Sequence, residues 1–425
     1  MTATTRGPEW RGSVGFRVEP DIRDGCRMSQ KTAKLTFWGV RGSTPTVDRS
    51  TWRYGGNTPC LEFVSTDGMR FILDCGTGLR HLGRRYMESL GEKPLEAVVL
   101  VTHYHWDHIQ GLPFFFPFVS ERNHFHFFSF QSKYLGEDSL KRVLQTQMAT
   151  PYFPVDVSIF HCKREYSEIA GGDVIEFGET KVSTKWLNHP QGCLGFRLET
   201  PAGIVVYATD NEPGVPDLDR DLRKLAEGAD IYIHDAQYTP EQLRTTQKGW
   251  GHSTWLEGIS VARDAGAKNL VLFHHDPDSS DRGVDAILRQ TRQQYANAWA
   301  ASEGMVMTLD SRKMDVVMRD SRAGQRREGF FRATIVGYSE EGRAFQEETI
   351  IRDLTLHGAL LYLENTPRLQ SELQVMMEAP VDELHPDGRI PLRGYVVRRE
   401  PAEDENRNAV GIVFAEEVEP DRPNS

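Results

Sequence analysis

The chain has 425 residues, of which 26% are charged and 39% hydrophobic, and its formal net charge is −11. This length predicts more than one domain, and the acidic charge argues against a protein that binds nucleic acid through bulk basicity. The sequence contains no apolar run near the roughly 18 residues of a membrane span, and its N-terminal stretch lacks the apolar segment of a signal peptide.

The five cysteines are scattered and form no CxxC pair. This usage indicates a reducing compartment rather than a disulfide framework. Residues 1–32 are charged and unpatterned, which predicts a disordered tail. Together these features predict a cytoplasmic protein without a membrane partner.

Residues 33–318 alternate apolar runs with Gly, Asn and Asp turns, a pattern that predicts a mixed α/β domain. The predicted strands are Lys34–Trp38, Cys60–Ser65, Phe71–Asp74, Ala97–Val101, Lys181–Leu187, Cys193–Glu199, Gly203–Ala208, Ile231–His234, Leu270–Phe273, Met305–Thr308 and Met314–Val317. The predicted helices are His81–Leu90, Asp219–Glu227, Thr254–Ala265 and Val284–Ala301. This order predicts two βα halves packed face to face.

Some segments of this domain allow more than one interpretation. The aromatic segment Pro113–Phe130 is interpreted as core and loop packing, with a substrate platform as the alternative. Residues Gln145–Pro154 are interpreted as a surface excursion that could line the mouth of a site. The loops Arg41–Thr44 and Gly55–Thr58 could offer amides or a guanidinium to a phosphate.

Three histidines and one carboxylate fall within six residues directly after the predicted buried strand Ala97–Val101. His103 and His105 are two apart, so an extended backbone projects both side chains to the same side. Asp107 and His108 follow in a turn that can bring them back toward the same point. Imidazole and carboxylate are ligands of zinc and other borderline divalent ions, and this density disfavours a polar loop with chance histidines.

The pattern His103-x-His105-x-Asp107-His108 resembles the signature of the metallo-β-lactamase superfamily. This resemblance implies an αββα sandwich with a dinuclear metal site on one edge. His103 and His105 are then candidate ligands of a first ion, and Asp107 and His108 of a second. The histidine-rich set favours two Zn²⁺ ions, with Mn²⁺ or Fe as alternatives.

Three later residues, each after a predicted strand, fall where the superfamily has its remaining metal motifs. His189 would complete the first site and His274 the second, while the carboxylate of Asp210 can bridge two cations. His275 is the neighbour that competes with His274 for this assignment. Two ions roughly 3.5–4 Å apart would hold a bridging hydroxide, with Asp107 also orienting that water, so the predicted chemistry is hydrolysis.

Two further motifs resemble the paired acid motifs of the phosphodiesterase branch, which includes tRNA 3′-processing enzymes of the RNase Z type. They are Ile233-His-Asp-Ala-Gln-Tyr238 and Gly249-Trp-Gly-His-Ser-Thr254. The resemblance implies that Asp235 orients His252, which protonates the leaving oxygen. A carboxylate-paired imidazole can supply that proton near neutral pH. The alternative is a plain strand-end carboxylate and a histidine at a helix start.

The composition shifts to Arg, Gly, Ser and Gln over residues 319–329, which predicts a linker. Residues 330–425 then predict an all-β domain, a small barrel or sandwich, because short apolar runs alternate with Gly, Pro and Asp turns. Its predicted strands are Arg332–Tyr338, Thr349–Arg352, Ala359–Tyr362, Glu372–Glu378, Leu392–Arg398 and Val410–Ala415.

Two stretches, Arg322-Ala-Gly-Gln-Arg326 and Asp353-Leu-Thr-Leu-His-Gly358, resemble the PilZ domain, a barrel that binds cyclic di-GMP. The resemblance implies a set of ligand-binding residues: Arg322, Arg326, Asp353, Thr355 and Gly358. Guanidinium groups can fork onto phosphates and stack on guanine faces. Thr355 replaces the family's serine and adds a methyl group, and Arg327 is an alternative second arginine. The other interpretation is a basic linker before a degenerate barrel.

These features predict a metal-dependent phosphodiesterase that acts on a small cyclic or linear phosphodiester. tRNA is not the expected substrate, because the chain is acidic and lacks a long basic, glycine-rich arm. The alternatives are a non-catalytic, metal-containing sensor of cyclic dinucleotides and a thioester or lactone hydrolase, which the Asp235–His252 pair disfavours. The oligomeric state stays open, with a homodimer as one alternative.

Overall fold

The computed structural model describes residues 17–18, 32–91, 93–311, 313–318, 327–354, 358–378, 389–402 and 407–415. The chain divides into two compact units. The first comprises Met1–Glu303 and Met307–Asp315, and the second comprises Gly304–Val306 and Val316–Ser425.

Strands and helices alternate through residues 17–317. The strands are β1 (Arg17–Val18), β2 (Thr32–Gly39), β3 (Cys60–Val64), β4 (Arg70–Leu73), β5 (Glu96–Leu100), β6 (His124–Ser129), β7 (Lys163–Glu168), β8 (Val174–Phe177), β9 (Thr180–Leu187), β10 (Cys193–Thr200), β11 (Gly203–Ala208), β12 (Ile231–Asp235), β13 (Leu270–Phe273), β14 (Ala298–Ala300), β15 (Val306–Asp310) and β16 (Lys313–Val317). The α-helices are α1 (Gly78–Leu90), α2 (Trp106–Ile109), α3 (Ser139–Gln147), α4 (Pro216–Ala226), α5 (Pro240–Thr245), α6 (Trp255–Asp264) and α7 (Asp281–Gln294).

These strands form two eight-stranded mixed sheets. The order of the first sheet is β16-β15-β2-β3-β4-β5-β6-β7, and that of the second is β1-β8-β9-β10-β11-β12-β13-β14. Aromatic contacts join the sheets, because the ring of Phe177 on β8 lies 5.7 Å from that of Phe71 on β4 and 5.4 Å from that of Phe128 on β6. The two sheets therefore pack face to face.

Helices cover the outer faces of both sheets. Apolar residues of α1 and α3, including Leu82 and Leu144, share a buried cluster with Phe125 and Phe127 of β6. The helices α4 and α6 form a separate cluster with β11–β13. The resulting layers are the predicted αββα sandwich, and this fold class is confirmed.

The parallel strands of both sheets direct their carboxyl ends toward the loops that carry the predicted site residues. In the first sheet β4, β5, β6 and β7 are parallel neighbours, and in the second sheet β11, β12, β13 and β14 are. Parallel strands present their carboxyl-end loops at one edge, where ligands of open α/β sheets bind.

The second unit contains a closed β-barrel. Its strands are β17 (Arg327–Tyr338), β18 (Ala344–Leu354), β19 (Gly358–Leu363), β20 (Glu372–Glu378), β21 (Arg389–Pro401) and β22 (Asn408–Phe414). They pair in the order β17-β18-β19-β22-β21-β20. The all-β prediction is confirmed, and its barrel form is now defined.

The residues implied by the PilZ resemblance are only partly described. Arg322, Arg326 and Thr355 lie outside the described residues. Asp353 pairs through its backbone with Leu360. Gly358 opens β19, and a Cβ atom there would lie 2.2 Å from the carbonyl oxygen of Ile412, so close strand packing requires this glycine.

Several predicted elements were wrong or missing. The predicted helix Val284–Ala301 ends at Gln294, and Ala298–Ala300 instead form a strand that pairs with β13. Helix α3 and the strands β6, β7 and β8 were not predicted. Within the segment predicted as a tail, Arg17–Val18 pair with β8.

None of the helices in the described part of the chain is long and apolar enough to cross a membrane.

Candidate metal centre and active site

The loop after β5 and the first turn of α2 carry the first group of candidate ligands. Because β5 ends at Leu100, His103 and His105 lie on the extended segment beyond its carboxyl end. Asp107 and His108 then lie within α2, whose helical turn directs them back toward the same edge. All but His105 are buried. The local sequence therefore concentrates four potential ligands at the mouth of the sandwich.

One cluster contains the histidines predicted for a first ion. The Nε2 atom of His189, which follows β9, lies 3.0 Å from Nδ1 of His105. The Nε2 atom of His103 lies 3.8 Å from Oδ1 of Asp210, and that of His189 lies 4.0 Å from the same oxygen. These four side chains converge on one point.

A second cluster contains the remaining predicted ligands. The Nε2 atoms of His108 and His274 lie 3.3 and 3.2 Å from Oδ2 of Asp107. The same nitrogens lie 3.3 and 3.5 Å from Oδ2 of Asp210. Asp210 thus presents one carboxylate oxygen to each cluster, which is the arrangement that a bridging ligand requires.

The outer hydrogen bonds of the histidines turn their inner nitrogens toward the site. The Nδ1 atom of His189 is 2.8 Å from the carbonyl oxygen of Gly251, and Nδ1 of His274 is 2.8 Å from Oε1 of Gln237. Carbonyl oxygens can only accept, so each Nδ1 carries a proton and Nε2 is the nitrogen that faces the site. Such outer partners fix the tautomer of metal-binding histidines.

Asp74 plays this outer role for both clusters. Its Oδ2 atom accepts from Nδ1 of His108 at 2.8 Å and from the hydroxyl of Tyr207 at 2.8 Å. The backbone N–H of Thr102 donates to Oδ1 at 2.8 Å, and the Thr102 hydroxyl contacts both Oδ2 and Nδ1 of His103. One fully buried carboxylate therefore orients a histidine in each cluster.

The donor set fits two cations. The buried Nε2 atom of His103 has no hydrogen-bond partner among the described residues. The Nε2 atoms of His108 and His274 face each other at 3.3 Å, and two unprotonated nitrogens at this distance repel unless a cation lies between them. Imidazole and carboxylate donors at these positions are the usual ligands of zinc and related ions.

The pKa values of the clustered histidines also agree with a site for cations. Burial lowers the pKa of His103 well below its ordinary value and that of His189 to about 4, so both rings are neutral ligands. Burial opposes the charge of His108, but the carboxylates of Asp107 and Asp210 raise its pKa well above the ordinary value. The carboxylates that would compensate the charge of metal ions thus favour a proton on His108 when no ion is bound.

Three site residues adopt left-handed backbone conformations directly after strands. Asp74, Asp210 and His274 have φ angles of 58°, 56° and 59°. Non-glycine residues rarely adopt this conformation, and such strain is concentrated at functional sites. The strand ends therefore turn sharply to aim these side chains into the site.

The predicted acid pair lies beside the second cluster. The Nδ1 atom of His252 donates to Oδ2 of Asp235 at 2.8 Å. The same carboxylate accepts from the backbone N–H of Asp210 at 3.1 Å, while its Oδ1 accepts from the N–H of Gln237 at 2.9 Å. Burial opposes protonation, yet Asp235 raises the pKa of His252 to about 9.

His275 and Arg41 have structural rather than ligand positions. The Nε2 atom of His275 donates to the carbonyl oxygen of Ala301 at 2.8 Å, away from both clusters. The fully buried guanidinium of Arg41 donates to the carbonyl oxygens of Gly55 and Asp276 at 2.8 and 2.9 Å. The suggestion that this guanidinium binds a phosphate is therefore wrong.

One amide of the same loop does reach the site. The backbone N–H of Ser43 donates to Oδ2 of Asp107 at 2.8 Å, and the Ser43 hydroxyl accepts from Nε2 of Gln237 at 3.2 Å. Sequence reasoning missed Asp74, Thr102, Tyr207 and Gln237 because their roles depend on contacts between distant segments. The only local signal was the position of Asp74 at a strand end before two glycines.

A cavity of about 1300 Å³ adjoins the first cluster, and His103 and His105 form part of its wall. Its aromatic lining consists of Tyr104, Trp106, Phe114, Phe130, Tyr134, Tyr152 and Phe153. Within the aromatic segment, Phe115 and Phe118 are buried in the core, as the first interpretation expected, whereas Phe114 lines the cavity; the substrate platform stays a prediction. The segment Gln145–Pro154 contributes Tyr152 and Phe153.

Comparison with known families agrees with this geometry. Residues 69–275 match the β-lactamase superfamily domain, and residues 320–423 match the PilZ domain. The chain therefore carries a metallo-β-lactamase-fold domain followed by a PilZ domain. The two matched ranges agree with the αββα and barrel architectures described above.

Individual relatives are similar over more than half of this chain. Ribonuclease Z of Haloarcula marismortui is 24% identical over 294 residues, covering 57% of this chain and 86% of that protein. Ribonuclease Z of Archaeoglobus fulgidus is 26% identical over 318 residues, covering 65% and 97%. The crystal structure of the metallo-β-lactamase fold protein YhfI from Bacillus subtilis has 17% identity and a TM-score of 0.49, covering 65% of this chain and 99% of that one.

Proposed function

We propose that the first domain is a dinuclear metal-dependent phosphodiesterase. The observation that carries this proposal is the shared carboxylate of Asp210, whose two oxygens face two separate groups of nitrogen and oxygen donors. His103, His105 and His189 would hold the first ion, and Asp107, His108 and His274 the second. When bound, two divalent ions would polarise a phosphoryl oxygen and lower the pKa of a bound water.

The acid pair supplies the second requirement of phosphodiester cleavage, a proton for the leaving oxygen. Because Nδ1 of His252 is held by Asp235, its Nε2 atom remains as the nitrogen that can donate. Asp235 also accepts from the backbone of Asp210, so it fixes the acid relative to the bridging ligand. A thioester or lactone hydrolase depends less on such a buried acid, so the Asp235–His252 pair favours a phosphodiesterase over this alternative.

The cavity supports a substrate with planar groups. Its aromatic wall adjoins the candidate ligands His103 and His105, and aromatic side chains stack on bases or aryl groups. We infer that the substrate is a small phosphodiester carrying a base or aryl substituent. The expectation that tRNA is not a substrate is unsupported, because the relatives reported above are named ribonuclease Z, so an RNA 3′ end belongs among the candidates.

The experiment is turnover by the metal-loaded protein on two substrates that differ in their leaving group. Bis(p-nitrophenyl) phosphate releases a stabilised phenolate, whereas a dinucleotide releases a sugar alkoxide that needs a proton. His252→Ala should reduce cleavage of the dinucleotide by about 10²–10⁴-fold and that of the aryl ester much less. Equal losses on both substrates would contradict the assignment of His252 as the acid.

Asp107→Ala tests the metal centre in the same assay and should abolish turnover of both substrates. Cyclic mononucleotides, cyclic di-GMP and an RNA with a 3′ extension complete the substrate panel. Two bound ions without turnover of any phosphodiester would favour the sensor alternative. Turnover of a thioester or lactone alone would favour the other hydrolase.

We also propose that the PilZ domain binds cyclic di-GMP. The family match over residues 320–423 supports this proposal, as do the arginines at positions 322 and 326, which can fork onto phosphates. Calorimetric titration of the full chain with cyclic di-GMP tests it, with the Arg322→Ala/Arg326→Ala double variant as control. Equal binding by both proteins, or no binding by the wild type, would refute it.

A further inference from the structure

A second group of metal-ligating side chains lies in the first sheet, at the opposite end of the strands from the candidate metal centre. Glu96 opens β5 and is the register partner of His124, which opens β6. His126 lies two residues further along β6, so its side chain projects to the same face. Its register partner on β7 is Glu165. These four side chains share one face across three neighbouring strands.

The distances bring three of them together. The Oε1 atom of Glu96 lies 3.3 Å from Nε2 of His126 and 3.7 Å from Nδ1 of His124. The two imidazole centroids are 4.0 Å apart. The side chain of His126 is only 7% exposed and that of His124 23% exposed, whereas that of Glu96 is 38% exposed. The group is thus a partly buried pocket of donors that opens to solvent on one side.

Glu165 holds the outer side of the histidine pair. Its Oε2 atom lies 3.1 Å from Nδ1 of His126, and an ionised carboxylate can only accept, so that nitrogen carries the proton. The Nε2 atom of His126 faces Oε1 of Glu96 at 3.3 Å, so a proton or a metal ion can lie between this nitrogen and this carboxylate. The Oε1 atom of Glu165 is 2.6 Å from Nζ of Lys163, which neutralises its charge. Glu165 therefore acts as an orienting partner and not as a ligand.

His124 has unmet hydrogen-bonding capacity. Its buried Nε2 atom, which has no hydrogen-bond partner among the described residues, faces Oε1 of Glu165 at 3.3 Å, whereas its Nδ1 atom is the one that faces Glu96. The Nδ1 atom of His124 and the Nε2 atom of His126 thus approach the same carboxylate oxygen of Glu96.

We propose that Glu96, His124 and His126 bind a third divalent ion of the zinc type, independent of the dinuclear centre. Two imidazoles and one carboxylate are a preferred set for such ions, with water completing the coordination on the solvent side. Bonds of about 2.0–2.1 Å at tetrahedral angles place neighbouring donors about 3.3–3.4 Å apart. The donors lie near this spacing: Oε1 of Glu96 is 3.3 Å from Nε2 of His126 and 3.7 Å from Nδ1 of His124, and the three ligand atoms lie within 4.8 Å of one another.

Such an ion would link the central strand β5 to β6, near the edge of the first sheet. In the order of that sheet, β7 is the terminal strand and β6 its neighbour. A metal bound by both strands stabilises only the folded protein, because the unfolded chain does not hold these donors together. The ion would therefore stabilise the pairing of β5 with β6, next to the terminal strand β7.

The test counts ions in the full-length protein after loading with Zn²⁺ and exhaustive dialysis. Glu96→Gln/His126→Gln should contain one ion fewer than the wild type while keeping its turnover of bis(p-nitrophenyl) phosphate. A His103→Ala/His108→Ala variant, which lacks ligands of the dinuclear centre, should retain one ion and lose it when His126→Gln is added. This second comparison is independent of whether the domain is a phosphodiesterase.

A matched control is Glu121→Gln, which removes an exposed carboxylate just before β6 and should leave the count unchanged. Co²⁺ in the His103→Ala/His108→Ala protein gives a spectroscopic check, since binding should produce visible absorption that His124→Gln removes. Equal ion counts in the wild type and the Glu96→Gln/His126→Gln variant would overturn the proposal. If that variant does not fold, the single variant Glu96→Gln replaces it. Its third Zn²⁺ site should be at least tenfold weaker than that of the wild type, and an unchanged affinity would overturn the proposal.

Discussion

At the scale of single residues, Asp74 connects the two candidate metal sites without being a ligand itself. It holds His108 directly and His103 through the hydroxyl of Thr102, and it also accepts from Tyr207. Removing its charge should disturb both sites at once. Its role resembles that of the carboxylates that raise the basicity of metal-bound histidines and fix their orientation.

Asp74→Asn should therefore weaken metal binding about 10–100-fold while the fold is retained. The amide keeps the size of the side chain but cannot accept from His108, Thr102 and Tyr207 together. Competition with a chelator of known affinity measures the change. Tyr207→Phe is the matched control, since it removes one donor and leaves the carboxylate; a loss as large as that of Asp74→Asn would contradict the role assigned to Asp74.

The Asp235–His252 pair gives a prediction on pH dependence. A general acid acts in its protonated form, and Asp235 raises the pKa of His252 to about 9 from an ordinary value near 6.5, so the acid is charged at neutral pH. Turnover of a dinucleotide should fall as pH rises through the pKa of the folded protein. In Asp235→Asn the attraction is lost, so the alkaline limb of the kcat/KM profile should move to lower pH. An unchanged alkaline limb would show that another group supplies the proton.

At the scale of secondary-structure elements, a buried charged cluster fastens helix α7 to the loop that follows β2. The guanidinium of Arg53 donates to Oδ1 of Asp285 at 2.8 Å, and the hydroxyl of Tyr54 donates to the same oxygen at 2.9 Å. The Asp285 side chain is 3% exposed. Burial and then the negative charge of Asp285 raise the pKa of Tyr54, so its hydroxyl remains a donor.

Asp285→Ala should destabilise the protein by about 3–5 kcal/mol, because a buried charge loses its partner. Urea denaturation monitored by circular dichroism measures the free energy of unfolding. Asp217→Ala on α4 is the control: its 82% exposed carboxylate pairs with Arg220 at the surface, and the expected change is within about 0.5 kcal/mol. A loss below about 1 kcal/mol for Asp285→Ala would show that solvent enters the cluster.

The elements also show what the sequence could predict. Apolar runs separated by turn residues correctly predicted strands β9 to β13. The spacing around His103 predicted candidate ligands at the end of a strand. The overlong helix had a local cause: the alanine-rich residues 295–301 favour helix by propensity. Pairing with β13 overrides that preference at Ala298–Ala300, and such tertiary pairing cannot be read from a local pattern.

The roles of the outer residues were invisible for a related reason. Tyr207 and Asp74 are 133 positions apart, and their hydrogen bond exists only because the two sheets face each other. The ligands themselves could be proposed because each follows a strand, and parallel strands of one sheet end at one edge. Family resemblance then supplied which of the neighbours, such as His274 over His275, to prefer.

At the scale of the whole molecule, the candidate metal centre concentrates negative charge in the interior. Asp74, Asp107, Asp210 and Asp235 are all buried around the two ligand clusters. Without cations these carboxylates depend on protonated histidines for compensation. Metal binding should therefore contribute to folding as well as to catalysis, since ions that bind only the native state stabilise it by mass action.

Chelation followed by dialysis should lower the melting temperature, and added Zn²⁺ should restore it. At a free concentration 100 times the dissociation constant, one ion contributes about 2.7 kcal/mol. Differential scanning calorimetry of the full chain measures the shift. Asp210→Asn, which weakens the bridge, should show a smaller response to Zn²⁺; an identical response would place the stabilising ions elsewhere, for example at Glu96, His124 and His126.

The ligands of the dinuclear centre come from both halves of the sandwich, and this arrangement has a consequence for biosynthesis. His103 and His108 follow a strand of the first sheet, whereas Asp210 and His274 follow strands of the second. During synthesis, a chain from which His274 has not yet emerged lacks part of the candidate ligand set, whatever metal ions are present. Because neither half holds the full set of candidate ligands, we expect tight ion binding only after the two halves have joined.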